Sequence, residues 1–126
     1  MTFFDKLFGN ASEVDINQVQ AELGHIFVST EKVESAYIVI RDMMIFTDKR
    51  LVLVDRQGIS GNKLSIISIP YKSIISFAIQ TPGTFDFDLD CELLIHIKGS
   101  SAPIMQEFRQ GGLIYKVQED LLRHLE

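Results

Sequence analysis

The chain has 126 residues, of which 46% are hydrophobic and 23% charged, so we expect one globular domain with a real core. Its formal net charge of −5 argues against a nucleic-acid partner, because phosphate-backbone binding depends on clustered Lys and Arg. The single cysteine excludes an intrachain disulfide, and the start lacks a signal peptide or a membrane-spanning apolar run, so a cytoplasmic protein is expected.

Two helices are predicted in an N-terminal extension that comprises residues 1–30. Ser12 and Asp15 have the spacing of a capping box for the second helix, which is expected to end at Gly24. The apolar side of the first helix would be formed by Phe3, Phe4, Leu7 and Phe8. The apolar side of the second would be formed by Ile16, Val19 and Leu23.

From about residue 33 to residue 108 the sequence consists of short runs rich in β-branched residues, separated by turn residues. The runs are "SAYIVI", "MMIF", "RLVLV", "KLSIISI", "SIISFAI", "FDFDLDCELLIHI" and "APIMQEF". This spacing is typical of an antiparallel sandwich or barrel. The sixth run alternates apolar and polar residues from Phe85 to Lys98, with Leu94 as the one exception. This pattern predicts one apolar face and one polar face that only Leu94 interrupts.

The segment Thr47-Asp48-Lys49-Arg50 separates the second and third runs and has two interpretations. Asp48 suits a hairpin turn, because its carboxylate accepts hydrogen bonds from turn amides. Lys49 and Arg50 could instead form an anion site, but no glycine-rich turn into a helix places backbone amides beside them. We therefore predict a structural turn.

The last sixteen residues return to helical spacing and predict an amphipathic helix. Such a helix can bury its apolar stripe only against a sheet or against another chain. The stripe would be formed by Leu113 or Ile114, Val117, Leu121 and Leu125. The polar side would be formed by Lys116, Glu119, Asp120 and Arg123.

The reactive side chains do not form a recognisable catalytic or metal site. Cys91 and His96 are an odd number of positions apart, so in one strand they would point to opposite faces and not act as nucleophile and base. The acids between residues 86 and 90 lack the glycine and glutamate that an EF-hand calcium loop requires at its sixth and twelfth positions. We therefore expect no catalytic residue, no metal and no cofactor.

Two long segments resemble the bacterial pleckstrin-homology-like family: "YIVIRDMMIFTDKRLVLVDRQGISGNK" and "SIPYKSIISFAIQTPGTFDFDLDCELLIHI". The resemblance extends from about Glu31 to the C-terminus and departs from the family at Pro82, which concerns only the local turn. It implies a mainly β, partly open sandwich or barrel of about seven antiparallel strands, capped by the C-terminal helix. The predicted organisation is a single domain, 1–126, with the extension 1–30 preceding a pleckstrin-homology-like domain, 31–126.

The resemblance also implies a ring-shaped homo-oligomer, with a pentamer as the form associated with the family. A closed ring requires two different complementary surfaces on each chain. An acidic strand face meeting basic residues, with the N-terminal phenylalanines adding apolar burial, would satisfy this requirement. The predicted interface residues are Phe3, Phe4, Leu7, Phe8, Lys49, Arg50, Asp86, Asp88 and Asp90. The first functional hypothesis is accordingly a non-catalytic scaffold that self-assembles and binds an unidentified protein.

The alternative hypothesis is a membrane-surface adaptor that uses the phenylalanine-rich N-terminus and a weak site for anionic lipid. The lysine and arginine candidates for that site are Arg41, Arg56, Lys63 and Lys98. Eukaryotic pleckstrin-homology domains that bind phosphoinositides use a long basic loop between their first two strands, whereas this connection is only about Arg41 to Met43. Membrane contact is therefore the less favoured hypothesis.

Overall fold

The computed structural model describes residues 12–39, 42–57, 63–81, 90–108 and 112–125. The chain divides into two compact units, Met1–Ile69 and Pro70–Glu126. Several predictions concern positions outside the described residues, or side chains that are not described: those for Phe3, Phe4, Leu7, Phe8, Arg41, Arg56, Pro82, Asp86 and Asp88. Neither described helix is long and apolar enough to cross a membrane.

The first unit is a sheet with one helix. In chain order it contains β1 (Ser12–Glu13), α1 (Ile16–Leu23), a 3-10 turn (Gly24–Ile26), β2 (Val33–Val39), β3 (Asp42–Thr47), β4 (Arg50–Gln57) and β5 (Lys63–Pro70). The strand order is β1-β2-β3-β4-β5, with β1 to β4 paired antiparallel. Among the described strands, the sheet order therefore leaves β5 at one edge, beside β4.

The core of the first unit lies on both faces of the central strands. The apolar run of β4 is buried from Leu51 to Val54, as its lack of alternation predicts for a strand at the centre of the structure. On one face, Val19 and Leu23 of α1 pack in a cluster with residues of β2, β3 and β4. The second helix of the N-terminal extension therefore packs on this sheet. Elsewhere in the sheet, Tyr37 of β2 and Phe46 of β3 make an edge-to-face ring contact, with ring centroids 6.1 Å apart.

The predicted capping box of α1 is wrong. Ser12 lies in β1, opposite Ile38 of β2. Asp15 is the N-cap instead, and its Oδ1 accepts a hydrogen bond from the Asn17 amide at 2.9 Å. Pairing with β2 thus determines the position of Ser12, so that the helix begins one residue after Asp15.

The second unit is a three-stranded antiparallel sheet with the C-terminal helix. It contains a 3-10 turn (Tyr71–Ser73), β6 (Ile74–Gln80), β7 (Cys91–Ile97), β8 (Ile104–Phe108) and α2 (Gly112–His124), and the strand order is β6-β7-β8. The predicted stripe of α2 is buried at Ile114, Val117 and Leu121. The imidazole ring of His124 stacks on the ring of Tyr71, with ring centroids 4.0 Å apart.

Two details of the second unit differ from the sequence predictions. Asp120, predicted on the polar side of α2, is buried, and its carboxylate pairs with Arg123 one turn later at 2.9 Å. Asp90, predicted inside the sixth strand, precedes β7. The broader prediction, a mainly β chain whose seven longer strands are followed by a helix, is confirmed.

Candidate functional site

The Thr47–Arg50 turn connects β3 to β4 and is stabilised by side-chain hydrogen bonds. Thr47 Oγ1 accepts hydrogen bonds from the amides of Lys49, at 3.1 Å, and Arg50, at 3.0 Å. Two hydrogen bonds connect Asp48 to Lys32. The Lys32 amide donates to Asp48 Oδ1 at 2.8 Å, and the Asp48 amide donates to the Lys32 carbonyl at 2.9 Å. The prediction of a structural turn is confirmed, but the side chain that accepts from the turn amides is Thr47 and not, as predicted, Asp48.

Beneath this turn, Glu31 and Arg50 form a two-point ion pair. Arg50 Nε lies 2.8 Å from Glu31 Oε2, and Arg50 Nη2 lies 3.0 Å from Oε1. Thr47 Oγ1 donates to Oε2 at 2.7 Å, and the Val28 amide donates to Oε1 at 3.2 Å. The Glu31 side chain is only 1% exposed, whereas that of Arg50 is 21% exposed.

These contacts stabilise the ionised form of Glu31. The hydrogen bonds from Arg50 are the largest cause, and they lower the pKa of Glu31 from its ordinary value of 4.5 to about 2. Burial acts in the opposite direction, while the Thr47 hydroxyl and the Val28 amide lower the pKa further. The same pair raises the pKa of Arg50. Both groups are therefore charged at neutral pH.

The Arg50 guanidinium also joins parts of the first unit that are distant in sequence. Its Nη2 donates to the Ile26 carbonyl at 2.8 Å, and its Nη1 donates to Ser68 Oγ on β5. One side chain thus contacts the turn after α1, Glu31 two residues before β2, and the edge strand. Arg50 was predicted among the interface residues, but its guanidinium is occupied within the chain, so we do not include it in the proposed assembly surface.

The edge strand β5 exposes apolar side chains in the middle of its length. Leu64, Ile66 and Ile67 are 46%, 42% and 38% exposed. Leu64 and Ile66 share one face of the strand and Ile67 lies on the other. The run "KLSIISI" predicts this strand but not its position at the edge, and hence not its exposure.

The three-stranded sheet has a second exposed apolar group. The register places Leu94 of β7 between Ala78 of β6 and Met105 of β8. Met105 is 54% exposed, Ala78 is exposed and Leu94 is half-buried. We call these three residues the outer row. Leu94 is the residue that interrupts the predicted polar face of the sixth run, and this interruption was the only signal of the row in the sequence.

The outer row is flanked by carboxylates. In the row next to the outer row, on the same face of the sheet, Glu92 of β7 lies between Gln80 of β6 and Glu107 of β8. Asp90, which precedes β7, is exposed. Of the predicted acidic residues, Asp90 is therefore the one that the described chain places beside this surface.

The remaining predicted site residues that the structure describes fall in both units. Lys49 is exposed at the β3–β4 turn and Lys63 at the start of β5, both in the first unit, while Lys98 is exposed after β7 in the second. Among the described residues, no group of His, Cys, Asp and Glu has an arrangement that could hold a metal ion.

Cys91 and His96 lie on opposite faces of β7, as their spacing predicts. Cys91 is buried and free, whereas His96 is exposed. Burial raises the pKa of the Cys91 thiol, and the charge of Asp90 raises it further. A buried thiol with a raised pKa is a poor nucleophile at neutral pH.

Comparison with known proteins identifies the family. The chain is 49% identical over 122 residues to the uncharacterized protein YjqA of Bacillus subtilis (strain 168), covering 96% of each chain. It is similar to the crystal structure of a DUF1696 family protein with a pleckstrin-homology domain from Shewanella loihica PV-4, with a TM-score of 0.78 and 42% identity over 94% of this chain and 99% of that one.

A pleckstrin-homology domain from Shewanella amazonensis SB2B gives a TM-score of 0.79 at 43% identity and covers 98% of both chains. The family model of the bacterial PH domain matches residues 2–125. The resemblance inferred from the sequence is confirmed, and so is the predicted fold class. The chain belongs to the bacterial pleckstrin-homology domain family.

Proposed function

We propose that this chain is a non-catalytic pleckstrin-homology-like module of the cytoplasm that assembles with copies of itself and binds a protein partner. The assembly we propose is a ring, with five chains as the expected number. The observation that carries the proposal is the edge strand β5, whose central residues Leu64, Ile66 and Ile67 are apolar and exposed.

An edge strand of this kind favours association for a physical reason. A strand at the edge of a sheet is a ready contact site for another chain, and proteins that remain monomeric usually protect such an edge with charges, prolines or bulges. In β5 the charged residue Lys63 and the proline Pro70 stand at the two ends, and the residues between them carry no charge. Covering the exposed apolar area would contribute about 25 cal/mol per Å².

Several properties of the described residues support a non-catalytic role. The buried Cys91 thiol has a raised pKa, and the ionised Glu31 and Arg50 neutralise each other below the β3–β4 turn. Membership of the pleckstrin-homology family also favours an interaction module.

Exposed ion pairs stabilise an interface only slightly, so Lys49 and Asp90 would affect the specificity of the proposed interface more than its strength.

The experiment is sedimentation velocity of the wild-type chain, of Ile66→Glu and of Val28→Glu at the same micromolar concentration. Ile66 and Val28 are both exposed apolar residues of the first unit, but Val28 lies in a loop rather than on the edge strand. We expect the wild type and Val28→Glu to sediment as assemblies of several chains and Ile66→Glu to sediment as a monomer. A monomeric wild type would overturn the proposal, and so would equal behaviour of the two variants.

A further inference from the structure

The outer row departs from the pattern of the sheet that contains it. On the opposite face of β7, Leu93 and Ile95 are buried, so alternation would place a polar side chain at position 94 between them. Instead, Ala78, Leu94 and Met105 form an apolar line across all three strands on the exposed face. Contiguous exposed apolar residues of this kind, bordered by polar ones, are typical of an interaction surface.

The carboxylates beside the outer row add a charge requirement. Glu92 and Glu107 occupy directly opposed positions on neighbouring strands, where like charges destabilise a sheet. Neither of them has an ion-pair partner within the part of the chain that the structure describes. A cation brought by a partner would relieve their repulsion. The surface is thus complementary to an apolar segment that carries a positive charge.

The edge strand of another copy has this chemistry. Leu64 and Ile66 are exposed on one face of β5, and Lys63 at its start is the only charged residue of the strand. We propose that the outer row of one copy receives β5 of the next, with Lys63 placed near Glu92 and Glu107. This inference rests on the proposed self-assembly and names the second of the two surfaces that it requires.

The pairing of two different surfaces determines the type of assembly. If β5 of one copy contacts the outer row of the next, every chain has one donor surface and one acceptor surface, and the interface is heterologous. Repetition of such an interface closes a ring when the rotation between copies allows it. By contrast, a symmetric contact between two β5 strands would stop at a dimer and leave both outer rows exposed.

Two variants that each lose one surface test the pairing. Ile66→Glu places an acid on β5, where it would meet Glu92 and Glu107. Met105→Lys places a cation in the outer row, where it would meet Lys63 and also offset the neighbouring carboxylates. Each substituted side chain is exposed, so both variants are expected to fold, as thermal melting would verify.

We expect each variant alone to be monomeric and an equimolar mixture to form a dimer of twice the mass of one chain, without larger species. The reason is that the mixture retains one intact β5 and one intact outer row, enough for a single heterologous contact. Leu122→Lys, at an exposed apolar position of α2, is the control and should assemble like the wild type.

The outcomes separate the two proposals. If Met105→Lys alone assembles like the wild type or forms a dimer, the outer row is not the acceptor surface, although self-assembly through β5 stands. If both variants are monomeric but their mixture stays monomeric, the pairing is also wrong. A monomeric wild type would overturn both proposals.

A charge reversal gives an independent readout. Lys63→Glu and Glu107→Lys should each weaken assembly at low salt at least tenfold, and the double variant should recover most of that loss. Failure of the double variant to recover any assembly would contradict the proposed contact between these charges.

Discussion

Glu31 and Arg50 are nineteen positions apart in sequence, yet Arg50 Nε lies 2.8 Å from Glu31 Oε2. The pair is completed by the 3.0 Å contact between Nη2 and Oε1. Through the further contacts of Arg50 with the Ile26 carbonyl and the Ser68 hydroxyl, this pair connects the helical N-terminal segment to the edge strand β5. The surface proposed for assembly is therefore anchored from inside by a charged residue.

Removing the charge of Glu31 should destabilise the protein. In Glu31→Gln the side chain keeps its shape, but Arg50 loses its ionic partner, and we expect the free energy of unfolding to fall by about 3 kcal/mol. The measurement is urea denaturation at pH 7. Glu22→Gln, the same substitution at an exposed position of α1, is the control and should change the stability by less than about 0.5 kcal/mol. Equal effects of the two substitutions would contradict the assigned role.

The effect of Glu31→Gln should depend on pH in a defined direction. The folded-state pKa of Glu31 is about 2, below its ordinary value of 4.5, so between these values the unfolded state binds more protons and stability rises with pH. The contribution of about 3 kcal/mol is complete above about pH 4.5 and is lost as the pH falls toward 2.

Denaturation curves of wild type and Glu31→Gln at several pH values between 2 and 7 measure this dependence. The two stabilities should converge at the acidic end. A difference that stays constant over the whole interval would show that the ionised carboxylate is not the source of the stabilisation.

Cys91 should be dispensable for assembly. Its side chain is buried, so Cys91→Ser places a hydroxyl in the core and should cost about 1 kcal/mol of stability. Sedimentation of Cys91→Ser should nevertheless match that of the wild type. Loss of assembly with unchanged thermal stability would show that the thiol has a role beyond packing.

Membrane binding should be weak. The net charge of −5 opposes attraction to anionic lipid. We expect the intact chain not to co-sediment with phosphatidylglycerol–phosphatidylcholine vesicles at physiological salt. Salt-sensitive binding of the intact chain, lost when residues 1–8 are deleted and absent with phosphatidylcholine alone, would favour the membrane-adaptor hypothesis instead.

Local patterns were sufficient to predict most elements of the fold. Short runs rich in β-branched residues, separated by turn residues, located the seven longer strands, and the spacing of Ile114, Val117 and Leu121 located the C-terminal helix and its buried stripe. These features depend on residues that are close in sequence, so a single sequence contains the necessary information.

Features that depend on contacts between distant segments were missed. The pairing of Glu31 with Arg50 arises only when the segment before β2 meets the start of β4, and neither residue signals its partner in the sequence. The burial of Asp120 depends on how α2 packs, and the cap at Asp15 depends on the pairing of Ser12 with β2. The exposure of β5 follows from the order of strands in the sheet, which the strand pattern alone does not determine.

Hydrogen exchange of the β5 backbone amides tests most directly the claim that this edge is covered by another copy. We predict that the amides of residues 63–69 exchange slowly in the wild-type assembly and at least tenfold faster in Ile66→Glu, while β3, which lies inside the sheet, is equally protected in both. Equal exchange of residues 63–69 in the two proteins would contradict the account.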